Sequence, residues 1–161
     1  KANLEDLYQV VHKQREELKK IIEEKLGEFN EKFKSVAMNI TLFEEAISYV
    51  CKINRIIKFH RGHGMLVGEG GAGRHSLTKL ATFIAKYNLC QITVSKGSNS
   101  NNSEKIKDWS QEIAYKDNAA AVFMFSDNQI SEESFVEDIN TILTIGEIPN
   151  LFGKEDMATI K

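Results

Sequence analysis

Neither sign of charge predominates in this chain of 161 residues, whose 21 basic and 23 acidic side chains leave a formal net charge of -2. That removes the global case for a nucleic acid or an anionic membrane as partner. Long apolar runs are missing too. The longest, AAAVFMF at residues 119–125, falls far short of the roughly 20 residues that span a bilayer. No secretory leader is visible at the start. Cysteine is scarce: Cys51 and Cys90 stand apart with no metal-type spacing, as expected of reduced thiols in a cytosolic setting. No segment repeats another. The chain begins at Lys1 and not at Met, the expected mark of a fragment or a processed product. What is present is ordinary for a globular domain, with 42% hydrophobic and 27% charged residues, and the length suffices for one core.

Periodicity organises the first third. Leu4, Leu7, Val11, Leu18, Ile22, Leu26 and Phe29 recur at helical spacing with charged residues between them, which predicts a long helix over residues 3–33. The apolar register drifts after Ile22, so a surface helix with one buried stripe is favoured over a coiled coil. His12 sits on the charged side of that helix. A second helix is expected to start near Asn39 with Thr41 and Glu44 as a capping box. It would bury Phe43, Ala46, Ile47, Val50, Asn54 and Ile57 on one face and fail by Arg61–Gly62.

The remainder alternates between strand and helix. Strands are expected at GMLV (64–67), CQITVS (90–95) and AAVFMF (120–125). The last is apolar on both faces, as a covered parallel strand requires. A helix burying Leu77, Leu80, Ala81 and Ile84 follows the first strand. A polar loop is expected at 96–104, a helix around Trp109, with Trp109 as a core anchor, and a helix capped by Ser131. Strands alternating with helices predict an α/β architecture with a parallel sheet.

The chemistry concentrates in GEGGAGRHS, residues 68–76. Four glycines in six residues, set between a strand and a helix, suit a loop whose backbone amides form a concave nest for phosphate. Gly68, Glu69, Gly70, Gly71, Ala72, Gly73, Arg74, His75 and Ser76 are therefore the candidate phosphate-binding positions. Two departures stand out. Arg74 occupies the place of the usual lysine, keeping the charge on a longer, planar fork. His75 occupies the place of the magnesium-binding hydroxyl and offers nitrogen to an ion that prefers oxygen. Ser76, one position later, points about 100° away around the helix. A purely structural turn is the competing reading. The same stretch satisfies the dinucleotide fingerprint G-x-G-x-x-G, but Ser95 and Lys96 stand where that fold needs an acidic residue.

Nucleotide hydrolysis also needs an acidic pair after a hydrophobic strand, one carboxylate for magnesium and one for the attacking water. The candidate is VFMFSDNQ, residues 122–129. In one register Ser126 and Asp127 fill the pair; in the other Asp127 serves the metal and Asn128 stands at the base position. Asn128 cannot accept a proton, and aspartate is shorter than glutamate, so both registers predict slow hydrolysis or none. In a purely structural role Asp127 would only end a strand and open a turn. His60 and His63 lack a metal spacing and suit structural or adenine-side packing roles.

In combination LFEEAISYVCKINRII, RGHGMLVGEGGAGRHSLTKLA, VFMFSDNQISEESFVEDINTIL and GEIPNLF resemble dynein heavy chain, specifically the fourth AAA+ module of its motor ring, in a form closer to axonemal than to cytoplasmic dyneins. The resemblance runs over residues 36–156. It implies a partial AAA+ large subdomain at 36–161, a P-loop fold of three layers around a parallel sheet, preceded by a helix at 1–35 that leads in from the previous module. It implies ATP or ADP as ligand, with magnesium, if bound, at Asp127, and a regulatory role in microtubule-based movement with little or no turnover. A structural ring segment with an empty pocket and an active P-loop ATPase are the alternatives. Expected partners are the neighbouring AAA+ modules and, through the full motor, intermediate and light chains and microtubules, with no nucleic acid and no membrane. The expected location is the cytoplasmic cytoskeleton, in a cilium or flagellum axoneme. In such folds a sensor strand lies between the glycine-loop strand and the acidic-pair strand. Residues 1–161 do not supply it, so the sheet is expected to lack its middle and the piece alone to be catalytically silent.

Overall fold

The computed structural model of the chain describes residues 15–91, 120–130 and 133–146. The expectations for residues 1–14, His12, residues 92–95 of the second expected strand, the 96–104 loop, Trp109, the Ser131 cap and GEIPNLF beyond Gly146 lie outside the described residues.

Helix α1 spans Arg15–Lys32, with Glu16 and Glu17 in its first turn and Lys32 in its last, charges that complement the helix dipole. Its buried positions are Ile22 and Phe29, with Leu18 and Leu26 partly covered. This is the single stripe that the spacing predicts. After a short 3-10 turn at Lys34–Val36, the chain runs back along α1. Asn30 clamps it there. Its side-chain amide donates to the Met38 carbonyl at 3.0 Å and its oxygen accepts the Met38 N–H at 2.7 Å. Met38 and Leu42 are thereby delivered into the core.

That clamp corrects the expected start of the second helix. Helix α2 spans Glu44–Lys58 with Phe43 as its cap residue and no side-chain cap bond. Thr41 is exposed and Glu44 pairs with Arg15 of α1, so neither acts in a capping box. Burying Met38 and Leu42 keeps the 37–43 segment non-helical, and tertiary packing overrides the local capping signal. Ala46, Ile47, Val50 and Ile53 form the buried face. Phe43, expected inside, is 57% exposed. The helix ends where expected. Arg61 adopts a positive φ of 53°, and Gly62 passes so close to the end of α2 that a Cβ there would sit 1.8 Å from the Ile56 carbonyl oxygen.

Helix α3 spans Arg74–Ala85 and lies against α2, α1 and the first strand. Leu80 and Ala81 are fully buried, and Asn54 of α2 donates to the Ala81 carbonyl at 3.1 Å. Thr78 and Thr82 are buried as well, each hydroxyl returned to the carbonyl four residues earlier at 2.8 Å. Their polar atoms are thus satisfied inside the helix. Leu77 and Ile84 are only half-buried. Phe83 meets Phe29 edge-on, with ring centroids 5.4 Å apart, which fixes α3 on α1.

Two strands follow, β1 at Asn88–Gln91 and β2 at Ala121–Met124. They pair in parallel with Asn88 opposite Ala121 and Gln91 opposite Met124. This is the α/β, parallel-sheet class expected. The strand expected at 64–67 does not form. Met65 is 89% and Val67 84% exposed, and among the described residues no strand pairs with that segment or with the second edge of β2. A strand exists by pairing, and the apolar pattern alone cannot supply a neighbour. After a 3-10 turn at Asp127–Gln129, helix α4 spans Glu133–Thr144 and ends at Gly146, whose φ is 89°. The Arg61 guanidinium lies against that glycine. Among the described residues no helix is long and apolar enough to cross a membrane.

Candidate functional site

Two elements meet at the candidate site: the N-terminus of α3, entered through the glycine loop, and the end of β2. The loop turns at Glu69–Ala72, where the Ala72 N–H reaches the Glu69 carbonyl at 3.3 Å. Gly71 and Gly73 have φ of 82° and 75°, torsions that a residue with a Cβ adopts only at a cost. Around Gly70, Gly71 and Gly73 an added Cβ would meet nothing within 4 Å. The space beside these three glycines is therefore open, and the glycines at 71 and 73 serve the backbone torsion.

Gly73 is the cap residue of α3 and provides no side-chain cap; the first turn holds no acidic residue. The opening amides of any helix lack partners within it, and here no side chain of the cap residue covers them. The N-termini of α1, α2 and α4 differ, each carrying glutamate in the first turn.

Arg74 is half-buried and folds back over the loop, its Nη2 donating to the Glu69 carbonyl at 3.1 Å. It thus braces the loop from inside while keeping a permanent positive charge beside it. His75 is exposed and faces the strand end: its Nε2 lies 3.1 Å from Ser126 Oγ, a hydrogen bond whose direction depends on the imidazole tautomer. Ser76 is half-buried.

At the strand end Ser126 is further held by its backbone N–H, which donates to Gln129 Oε1 at 2.7 Å. Gln129 is buried. Asp127 is exposed, and its Oδ1 accepts the Asn128 N–H at 3.0 Å. The structure therefore brings His75 and Ser126 together, places Arg74 on the loop backbone, and leaves Asp127 at the surface. His60 and His63 are exposed. Among the described residues no group of three or more histidine, cysteine or acidic side chains gathers to hold a metal.

Sequence reasoning missed the contact between His75 and Ser126, which are 51 residues apart. It also missed the role of Gln129. The pattern Ser126-x-x-Gln129 is a capping-box signature and was available to find it. Outside the site, burial pushes the Cys51 thiol above its ordinary range, opposed in part by the charge of Arg55.

Residues 38–161 match the family described as "P-loop containing dynein motor region D4". Among curated proteins, dynein axonemal heavy chain 17 of Mus musculus is 39% identical over 150 residues, covering 89% of this chain and 3% of its own length. Dynein axonemal heavy chain 3 of Mus musculus is 42% identical over 142 residues, covering 87% of this chain and 3% of its own. The dynein-1-beta heavy chain of the flagellar inner arm I1 complex of Chlamydomonas reinhardtii is 38% identical over 144 residues, with 89% and 3% covered. The chain thus spans about 3% of the length of these relatives. With an AAA+-type glycine loop opening α3 and a parallel strand ending beside it, the chain belongs to the P-loop-containing dynein motor region D4 family.

Proposed function

We propose that this chain is part of the fourth AAA+ module of an axonemal-type dynein ring, where it binds ADP or ATP and regulates the motor without turning nucleotide over efficiently. The observation that carries the reading is the uncapped N-terminus of α3, reached through a loop with two positive-φ glycines and open space beside them. Backbone amides presented this way, at the positive end of a helix dipole, suit a diphosphate. Gly68, Glu69, Gly70, Gly71, Ala72, Gly73, Arg74, His75 and Ser76 line this site, and Arg74 adds charge.

Slow turnover follows from the strand end. Ser126 replaces one carboxylate of the expected pair and is bonded to His75. Asp127 engages its neighbour's amide and is too short to hold water where a glutamate would. Through the full motor the partners are the adjoining AAA+ modules, intermediate and light chains and the microtubule, and the location is the axonemal cytoskeleton. A structural segment with an empty pocket is the second reading, favoured by the Arg74 side chain closing on the loop's own carbonyl.

The test is a structure of the intact heavy chain at saturating ADP. A diphosphate seated against the amides of residues 69–75 is expected. A loop plugged by Arg74, with nucleotide in excess, would leave only the structural role. Asp127→Asn is expected to leave the phosphate release of the intact motor unchanged; a loss assigned to this module would mark it as an active ATPase.

A further inference from the structure

The place where a phosphate-loop site holds magnesium is occupied here by a side-chain contact. In such sites a hydroxyl at the start of the helix and a carboxylate at the strand end both reach the ion, so the metal ties the two elements together. In the register that sets Ser126 and Asp127 against the acidic pair, those positions are His75 and Ser126, and these two side chains bond directly at 3.1 Å. If Ser126 donates, the Nε2 lone pair is used; if Nε2 carries the proton, it has no lone pair to give. Either way the imidazole nitrogen is closed to a metal while the bond stands. Ser126 Oγ lacks the charge of the carboxylate it replaces, and its partner His75 offers nitrogen where magnesium favours oxygen donors in an octahedral shell. Asp127, the carboxylate that follows β2 directly, is exposed with an oxygen committed to the Asn128 amide. The residues present do not fit a phosphate-loop magnesium site. Meanwhile the positive charge that would offset the phosphates is supplied in part by Arg74, held on the loop through the Glu69 carbonyl.

We propose that the His75–Ser126 hydrogen bond replaces the magnesium bridge between the glycine loop and the end of β2, so that nucleoside diphosphate binds here with an affinity indifferent to magnesium. The proposal rests on the nucleotide-binding reading above and adds how the site differs from a metal-dependent one.

The intact heavy chain is photolabelled with azido-ADP, and label is mapped to the peptides of this segment, in magnesium and in EDTA. Half-saturating concentrations within about twofold of each other are expected. The double substitution His75→Thr with Ser126→Asp restores the hydroxyl and the carboxylate and is expected to make labelling about tenfold tighter in magnesium than in EDTA. Native labelling that itself tightens about tenfold with magnesium overturns the proposal and leaves the nucleotide reading intact. A double variant as indifferent as the native chain overturns the assignment to this pair. No label on these peptides in either condition overturns nucleotide binding and the proposal together. The native comparison does not depend on how the variant folds.

Discussion

The helices α2 and α3 and the segment that joins them are equally apolar in places and end up in opposite environments. Val50, Ile53, Leu80 and Ala81 are buried, while Met65 and Val67, in a run just as hydrophobic, face solvent. The helices need only each other. Their backbone bonds close internally, and their stripes cover one another with Asn54 pinned to the Ala81 carbonyl. The 64–67 segment needs a paired neighbour to bury its side chains without stranding its amides. Hydrophobicity therefore decides burial only where the backbone is already satisfied.

The largest expected break of this contrast is Leu80→Ala. Leu80 is fully buried, and the loss should be about 2–5 kcal/mol in urea denaturation, against changes within about 0.5 kcal/mol for Met65→Ala or Val67→Ser. A substantial loss at residue 67 would show that the segment is covered in solution. Second comes Gly62→Ala. Its Cβ would meet the Ile56 carbonyl at 1.8 Å, so a loss of about 1–3 kcal/mol is expected, while Gly70→Ala, with nothing nearby, should be nearly neutral. Asn30→Ala removes both bonds to Met38 and should cost about 1–2 kcal/mol. A neutral outcome would mean that Leu42 alone seats the 37–43 segment.

A pH measurement sharpens the comparison from inside the helical half. Burial raises the Cys51 pKa, so the folded chain holds the thiol proton more tightly than the unfolded one. Its contribution is fully present below the unfolded thiol pKa of about 8.5 and is lost as pH rises through the higher folded value. Cys51→Ala should flatten that alkaline decline in thermal melts, and Cys51 should alkylate more slowly than a free thiol at the same pH. The smallest effect is expected at the Arg15–Glu44 pair, whose side chains are 69% and 71% exposed. Glu44→Gln should change stability by less than about 1 kcal/mol, and less still in high salt.

Much of the helical half is legible in the sequence because each helix carries its own periodicity. The stripe through Ile22 and Phe29, the α2 face through Val50 and the break before Gly62 are all local signals. Contacts between distant residues are not. Thr41 and Glu44 satisfy a capping rule and are overruled by Asn30, which holds the chain from another element. A continuous apolar run makes 64–67 resemble β2, yet of the two only β2 has a partner among the described residues. At the candidate site the glycine loop and the two substituted positions can be read in order. That His75 and Ser126 answer each other cannot, because nothing in a linear pattern measures the gap between a helix start and a strand end.

Gly71 and Gly73 combine positive φ with empty surroundings. The objection to an ordinary alanine at either place is thus one of handedness, about 1–2 kcal/mol, and not of crowding. Mirror-image alanine, introduced by chemical ligation, prefers those torsions. It should leave the curve of the loop as it is, where the natural enantiomer unwinds it.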